Sequence, residues 1–192
     1  FILTADIDLD PNVVGGEVFD AAVIAPTPSW NGGIPFTGVF GGNGYAIANL
    51  TITGGDYVGL FGQLGSGGEV KDLNVVDANI SGSDYLGALV AYSSGNVSNC
   101  HSTGAVRGTS AFVGGLIGYI YPGTLAQCSS MSVVEGDVLV GGLVGAIVEG
   151  SVGQCCAAGS VRGNRDVGGF AGSAADDEVL NCYSNADVSG TT

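Results

Sequence analysis

Positive charge is nearly absent from these 192 residues: four Lys and Arg stand against 18 Asp and Glu, for a formal net charge of -14. Without a basic stripe the chain cannot displace counterions from a phosphate backbone, which excludes nucleic acid as a partner. Histidine, tryptophan and methionine occur once each. A single His leaves any triad or proton shuttle dependent on His101, which strand alternation turns outward as an ordinary surface residue. Long apolar runs are missing too. The longest, 138–148, has 11 residues, contains three Gly and is bounded by Asp137 and Glu149, too short to cross a bilayer. No helical period is present, and no basic, then apolar, leader opens the chain. Phe1-Ile2-Leu3-Thr4 begins as if within a strand, which leads us to expect a piece cut from a longer precursor.

Glycine is abundant, 36 residues, beside a hydrophobic share of 45%. With no collagen-like triplet period this suits a stacked β structure. One phrase organises the sequence. Val140-Gly141-Gly142-Leu143-Val144-Gly145 has counterparts beginning at Val58, Leu86, Val113 and Val167, spaced 28, 27, 27 and 27 apart. Two further segments keep the period in each repeat, one ending in Leu73, Cys100, Cys128, Cys155 and Cys182, the other closing with Gly82, Gly108, Gly136, Gly163 and Gly190. Three strands and three corners in about 27 residues predict an all-β fold: a right-handed parallel β-helix, a triangular β-solenoid with one repeat per coil. Residues 57–192 supply five repeats. Residues 1–56 read as an N-terminal β segment continuous with the solenoid, in which the irregular stretch 10–35 forms a loop or cap.

Stacking coils places residue i over residue i+27 and so predicts ladders of like residues. Leu73, Cys100, Cys128, Cys155 and Cys182 form an inward ladder, in which we expect free thiols packed as small hydrophobes, with Cys156 pointing outward. Beside it Asp72, Asn99, Gln127, Gln154 and Asn181 can hydrogen-bond from rung to rung at a bend. Ser81, Arg107, Glu135, Arg162 and Ser189 put alternating charge on neighbouring coils, which fixes register at roughly 0.2 to 1 kcal/mol per pair.

The Gly phrase, followed by Asn181-Cys182-Tyr183-Ser184 or Asn99-Cys100-His101-Ser102-Thr103-Gly104 and a closing Val-x-Gly, resembles the GLUG-motif repeats of bacterial surface adhesin-like proteins. Leu3-Thr4-Ala5-Asp6-Ile7-Asp8-Leu9 and the stretch from Phe36 to Ile47 resemble the segment that often precedes those repeats. Gly41 departs from the family's usual Asp, Ala88 and Ala91 from Gly, and Cys156 from an aromatic. The resemblance implies a secreted or surface-anchored β-solenoid used as a non-catalytic module, and it transfers no catalytic residue.

The remaining candidates are few. Asp56, Asp84, Asp137 and Asp166 precede or enter the Gly phrases and are the carboxylates that could hold calcium; lacking an Asp-x-Asp-x-Asp-Gly loop, solvated turns are the favoured reading and no cofactor is expected. Trp30 and Phe36 could form an aromatic ligand platform, or Trp30 could plug the solenoid. Together these observations lead us to expect a non-enzymatic extracellular or cell-surface module, an adhesion element or rigid spacer. Its partners would be a glycan or protein on a host or neighbouring cell, or other copies of itself, without membrane insertion of this segment. End-to-end assembly into a filament or surface layer is the alternative, and a polysaccharide-acting β-helix enzyme a third.

Overall fold

Apolar residues that recur at a fixed long period can be buried only if successive turns of chain stack, and the chain stacks throughout. The computed structural model describes residues 1–175 and 178–190, apart from the side chain of Trp30. The first face of the solenoid is a six-stranded sheet running from Val39–Gly41 through Glu69–Lys71, Asn96–Ser98, Thr124–Ala126 and Ser151–Gly153 to Glu178–Leu180. The second is nine-stranded and holds the long strands Asn74–Gly82, His101–Gly108, Ser129–Glu135 and Cys156–Gly163. The third joins Phe61–Leu64, Val90–Ser93, Ile117–Ile120, Val144–Val148 and Ala171–Ala175. The described strand pairs are parallel, as a stack of like coils requires. This is the expected β-solenoid, with one addition. A short fourth sheet, Ala111–Gly114, Val138–Gly141 and Arg165–Gly168, lies just before the third face.

Register converts the period into a core. Val70, Val97, Leu125 and Val152 align on the first face, Ile80, Val106, Val134 and Val161 on the second, and Val90, Ile117 and Val144 on the third. All are essentially buried, and each contributes about 1.5–3 kcal/mol by leaving water. The columns end abruptly. Val152 and Val161 are 1% exposed, but Val179 and Val188, one rung on, are 40% and 50% exposed, because no described coil covers them.

The corners explain the polar ladder and the glycines. Between the first and second faces Asn49, Asp72, Asn99, Gln127, Gln154 and Asn181 all take a left-handed backbone, with φ of 49–60°. Asn and Asp enter that region at least cost among residues with a side chain. Asn99 Nδ2 donates to Asp72 Oδ1 at 2.7 Å, and Asn49 donates to Asp8 at 2.8 Å. The Gly phrase turns the next corner, with its first Gly ending a strand of the short sheet and its last lying in the third face. Here glycine is needed for space. A Cβ on Gly141 would stand 2.0 Å from the Val144 carbonyl oxygen, and one on Gly145 2.5 Å from that of Gly118. The middle Gly meets the opposite wall: a Cβ on Gly115 would touch Ser130 Oγ, and one on Gly142 would lie 3.2 Å from Ala157 Cβ. At Ala88 and Ala91 the coil carries Ala in place of Gly and still buries both completely. Across from Ala91 a Cβ on Gly59 would be 3.4 Å from the Ala91 nitrogen, against the 2.7 Å between a Gly114 Cβ and the Gly145 nitrogen, so that coil is looser.

The irregular segment 10–35 follows the same plan. Phe19 bridges to Ile52, Ile24 to Phe61 and Phe36 to Leu64, all in parallel, while Ile7–Asp8 pairs with Ala46–Ala48. Residues 1–38 therefore build one loosely wound coil stacked on the next, with its prolines in the connections.

The corner geometry sets a sharp expectation for substitution. Gly141→Ala should destabilise the fold by at least about 1–3 kcal/mol through overpacking, whereas Gly55→Ala, whose new methyl meets nothing within 4 Å, should change stability little. Urea denaturation midpoints of the two variants test this.

Candidate functional site: a tyrosine-bearing corner

The residues singled out in the sequence fall in several separate places. Cys100, Cys128 and Cys155 are buried, Cys156 and Cys182 half-buried, and all five are free thiols. Leu73 tops the inward column, fully buried. Within it the Cys100 amide donates to Cys128 Sγ and the Cys128 amide to Cys155 Sγ, both at 3.4 Å. Hydrogen bonds with the thiols of Cys100 and Cys155, together with burial, push the Cys128 thiol far up, so it stays protonated and unreactive. On the outer surface Arg107 pairs with Glu135 at 3.5 Å, and Arg162 follows Glu135 in register.

The four carboxylates considered for calcium occupy three different columns. Asp56 and Asp84 share one, and each serves the turn above it: Asp56 Oδ1 accepts the Asp84 amide at 3.2 Å, and Asp84 Oδ1 the Ala111 amide at 2.6 Å. Asp137 accepts from Asn164 Nδ2 at 2.6 Å. Asp166 lies beside Arg165 at 3.4 Å. Among the described residues no three metal-ligating side chains converge; Asp176 and Asp177 lie outside them. Phe36 packs into the N-terminal coil, its ring centroid 5.3 Å from that of Phe61 and 6.1 Å from that of Phe1. It helps to line an apolar cavity of about 250 Å³ with Phe1, Ile24 and Phe40. The Trp30 side chain lies outside the described structure, so the pair cannot be placed as one platform.

His101 is half-buried on the second face, and its Nδ1 meets Ser129 Oγ at 2.8 Å. A Ser–His contact is one component of nucleophilic catalysis. Here both residues sit on strands paired along each edge. The Ser129 amide is committed to the Cys100 carbonyl, so it cannot serve as an oxyanion donor. The contact is a ladder hydrogen bond between neighbouring coils.

The most concentrated chemistry on the surface is aromatic, and it does not appear among the residues named from sequence. Tyr57, Tyr85 and Phe112 precede three successive Gly phrases and stack face to face. Ring centroids are 4.5 Å apart at 11° for the first pair, and 4.5 Å at 12° for the second. All three have left-handed backbone, with φ of 57–60°, an unfavourable state for bulky residues. On the adjoining third face Tyr92 and Tyr119 are register partners with centroids 5.3 Å apart. Tyr119 meets Phe112 at 74° and Tyr85 at 85°, edge to face. Tyr121 joins at 6.4 Å from Tyr119, on the corner after that strand. The signal for this cluster was in the sequence: aromatics 28 and then 27 apart, at the position just before each phrase.

Burial is the main cause raising the phenol pKa of Tyr57, Tyr85, Tyr92 and Tyr119, reinforced by neighbouring phenols at Tyr57, Tyr92 and Tyr119 and by Asp56 and Asp84 at Tyr57 and Tyr85, where the hydrogen bond from Tyr57 acts the other way on Tyr85. These hydroxyls remain protonated donors throughout the physiological range. The Tyr92 hydroxyl donates to the Tyr121 carbonyl oxygen at 3.4 Å, so a hydrogen bond as well as ring contacts ties the cluster together.

A family model described as the GLUG motif matches residues 163–189. The chain carries a GLUG repeat. The matched segment begins at the Gly that closes one long strand of the second face and runs once around the solenoid to the next copy of that face. Its strands pair in parallel register with the preceding coil. The chain is also 37% identical over 93 residues to Halomucin from Haloquadratum walsbyi, a match spanning 42% of this chain and 1% of Halomucin's length. Among solved structures, a candidate immunoglobulin A1 protease from Bacteroides ovatus is similar with a TM-score of 0.71 at 19% identity, over 99% of this chain and 70% of that one. At that identity the likeness concerns the fold.

Two measurements test this picture of the coils. A thiol reagent should modify Cys156 and Cys182 in the folded protein, and Cys100, Cys128 and Cys155 only after unfolding. Phenols with raised pKa in the folded state hold their protons after the unfolded chain, with a tyrosine pKa near 10, has released them. The unfolded state then binds fewer protons, and stability falls as pH rises above about 10. Denaturation midpoints between pH 9 and 12, followed with tyrosine absorbance, should show that decline.

Proposed function

We propose that the chain is a non-enzymatic repeat module displayed outside the cell, a stiff segment of a larger surface protein that presents side chains at fixed intervals. The observation that carries this reading is the parallel stacking of coil on coil, in register but for one shift between Ser102 and Gly104. Each coil is hydrogen-bonded to the next on its several faces, and such an array gains length by adding coils without needing a new core. The GLUG match and the similarity to a stretch of Halomucin, a protein whose name places it with mucins, support a surface location. Among the described residues no helix is long and apolar enough to cross a membrane. The Ser129 amide, committed to the Cys100 carbonyl, supports a role without catalysis at the His101 contact. A second reading is stacking of the module against another copy of itself through open parallel strand edges.

Sedimentation and small-angle scattering over a concentration series separate these readings. The module should keep an extent of roughly 30 Å along the axis, from six turns at about 4.8 Å each. Axial growth with concentration would favour stacking, and release of sugar or peptide fragments from added polymers would reject the non-enzymatic reading.

A further inference from the structure

The outer surface of the second face combines the broadest sheet of the solenoid with a balance of charge that the rest of the chain lacks. Its central strands, Asn74–Gly82, His101–Gly108, Ser129–Glu135 and Cys156–Gly163, carry four charged residues, Asp77, Arg107, Glu135 and Arg162, and these cancel. The remainder of the chain therefore bears the whole net charge of -14. Register sorts the outward side chains into columns. The two inner ones hold Thr103, Met131 and Ala158, and beside them Ala105, Val133 and Ser160. His101, Ser129 and Cys156 run along one edge, and Arg107, Glu135 and Arg162 along the other. Met131 is 63% exposed and Val133 39%, and both stand above smaller residues on the coils to either side. An apolar centre within a polar rim is how protein interfaces are built.

We infer that a second copy of the chain packs face to face on this surface, about a twofold axis that runs along the strands between the coils of Arg107 and Glu135. A twofold interface must complement itself, so that residue i meets j and j meets i. This axis exchanges neighbouring coils. Thr103 then faces the partner's Met131, Ala105 the partner's Val133, and Val76, at the bulge opposite Thr103, the partner's Ala158, a larger residue against a smaller one each time. At the rim Arg107 faces the partner's Glu135, and the pair that each chain already forms at 3.5 Å becomes a group of four charges of alternating sign. Charge selects the occupant as well: other surfaces of two such acidic copies repel each other, and a basic partner would be drawn to those surfaces rather than to this one. The area suffices. Six rows at about 4.8 Å, each of about eight residues at roughly 3.3 Å, give about 750 Å² per copy, near the roughly 800 Å² per partner of a stable complex. Because the face lies on the side of the solenoid, this dimer closes on itself and adds no length along the axis, which separates it from stacking through strand edges.

The test is sedimentation equilibrium of the whole chain over a concentration series, with small-angle scattering on the same samples. Mass should rise to twice that of the chain and stop there, while the axial extent stays constant and the cross-section widens. Met131→Asp, at an exposed outward position, should weaken dimerisation at least tenfold with the circular-dichroism signal unchanged. Ser151→Asp makes the same change of charge at an exposed position of the first face and should leave the dimer as it is. Ala105→Leu keeps the surface apolar but fills the hollow facing the partner's Val133, and should weaken association several-fold. A chain that stays monomeric at every concentration, a dimer that tolerates Met131→Asp as well as Ser151→Asp, or growth along the solenoid axis would each overturn the proposal.

Discussion

A parallel ladder between successive turns of one chain sets every residue against its own counterpart one turn later. Whatever a position does, it must do beside copies of itself, and this constraint runs through the whole molecule. Apolar positions become continuous buried columns. Asn and Asp at a bend become a rail of side-chain hydrogen bonds, as between Asn99 and Asp72. Charges succeed where signs alternate, as in Arg107 and Glu135, because like charges in such a ladder would repel. A net charge of -14 is tolerable on this scaffold since the carboxylates at the corners accept backbone amides of the turn above, as Asp56 and Asp84 do.

The same constraint makes the Gly phrase a matter of volume. The chain folds back where the short sheet meets the third face, bringing carbonyl groups of one coil and the backbone of the next within reach of each glycine's missing Cβ. Small inward residues on the second face, Ser102, Ser130 and Ala157, are buried there and leave room for the middle glycine. The conserved volume is shared between two walls, and exchanging one wall alone would crowd the other.

Against that background the aromatic corner is the place where ladder logic is used for something other than closure. Stacking Tyr57, Tyr85 and Phe112 offsets part of the cost of their left-handed backbone, at about 0.5–1.5 kcal/mol per aromatic pair, yet Leu139 and Asp166 hold the same backbone without stacking. The rings are thus an addition to the scaffold, placed where two strands meet at an angle and side chains from both can touch.

The 27-residue recurrence of Val, Leu and Gly determined by itself that the chain forms a parallel solenoid, because no other arrangement buries every copy in an equivalent place. The inward Cys column and the polar bend were legible for the same reason, each being a single column. The first coil was not, since residues 10–35 keep the bridges of a coil but interrupt them with prolines and turns that hide the period. The tyrosine cluster was half legible: Tyr57, Tyr85 and Phe112 share a column, whereas Tyr92 and Tyr119 belong to another strand. Only the corner angle between the short sheet and the third face brings the two columns within contact distance, and that angle arises from close packing around the glycines, which a linear period does not record.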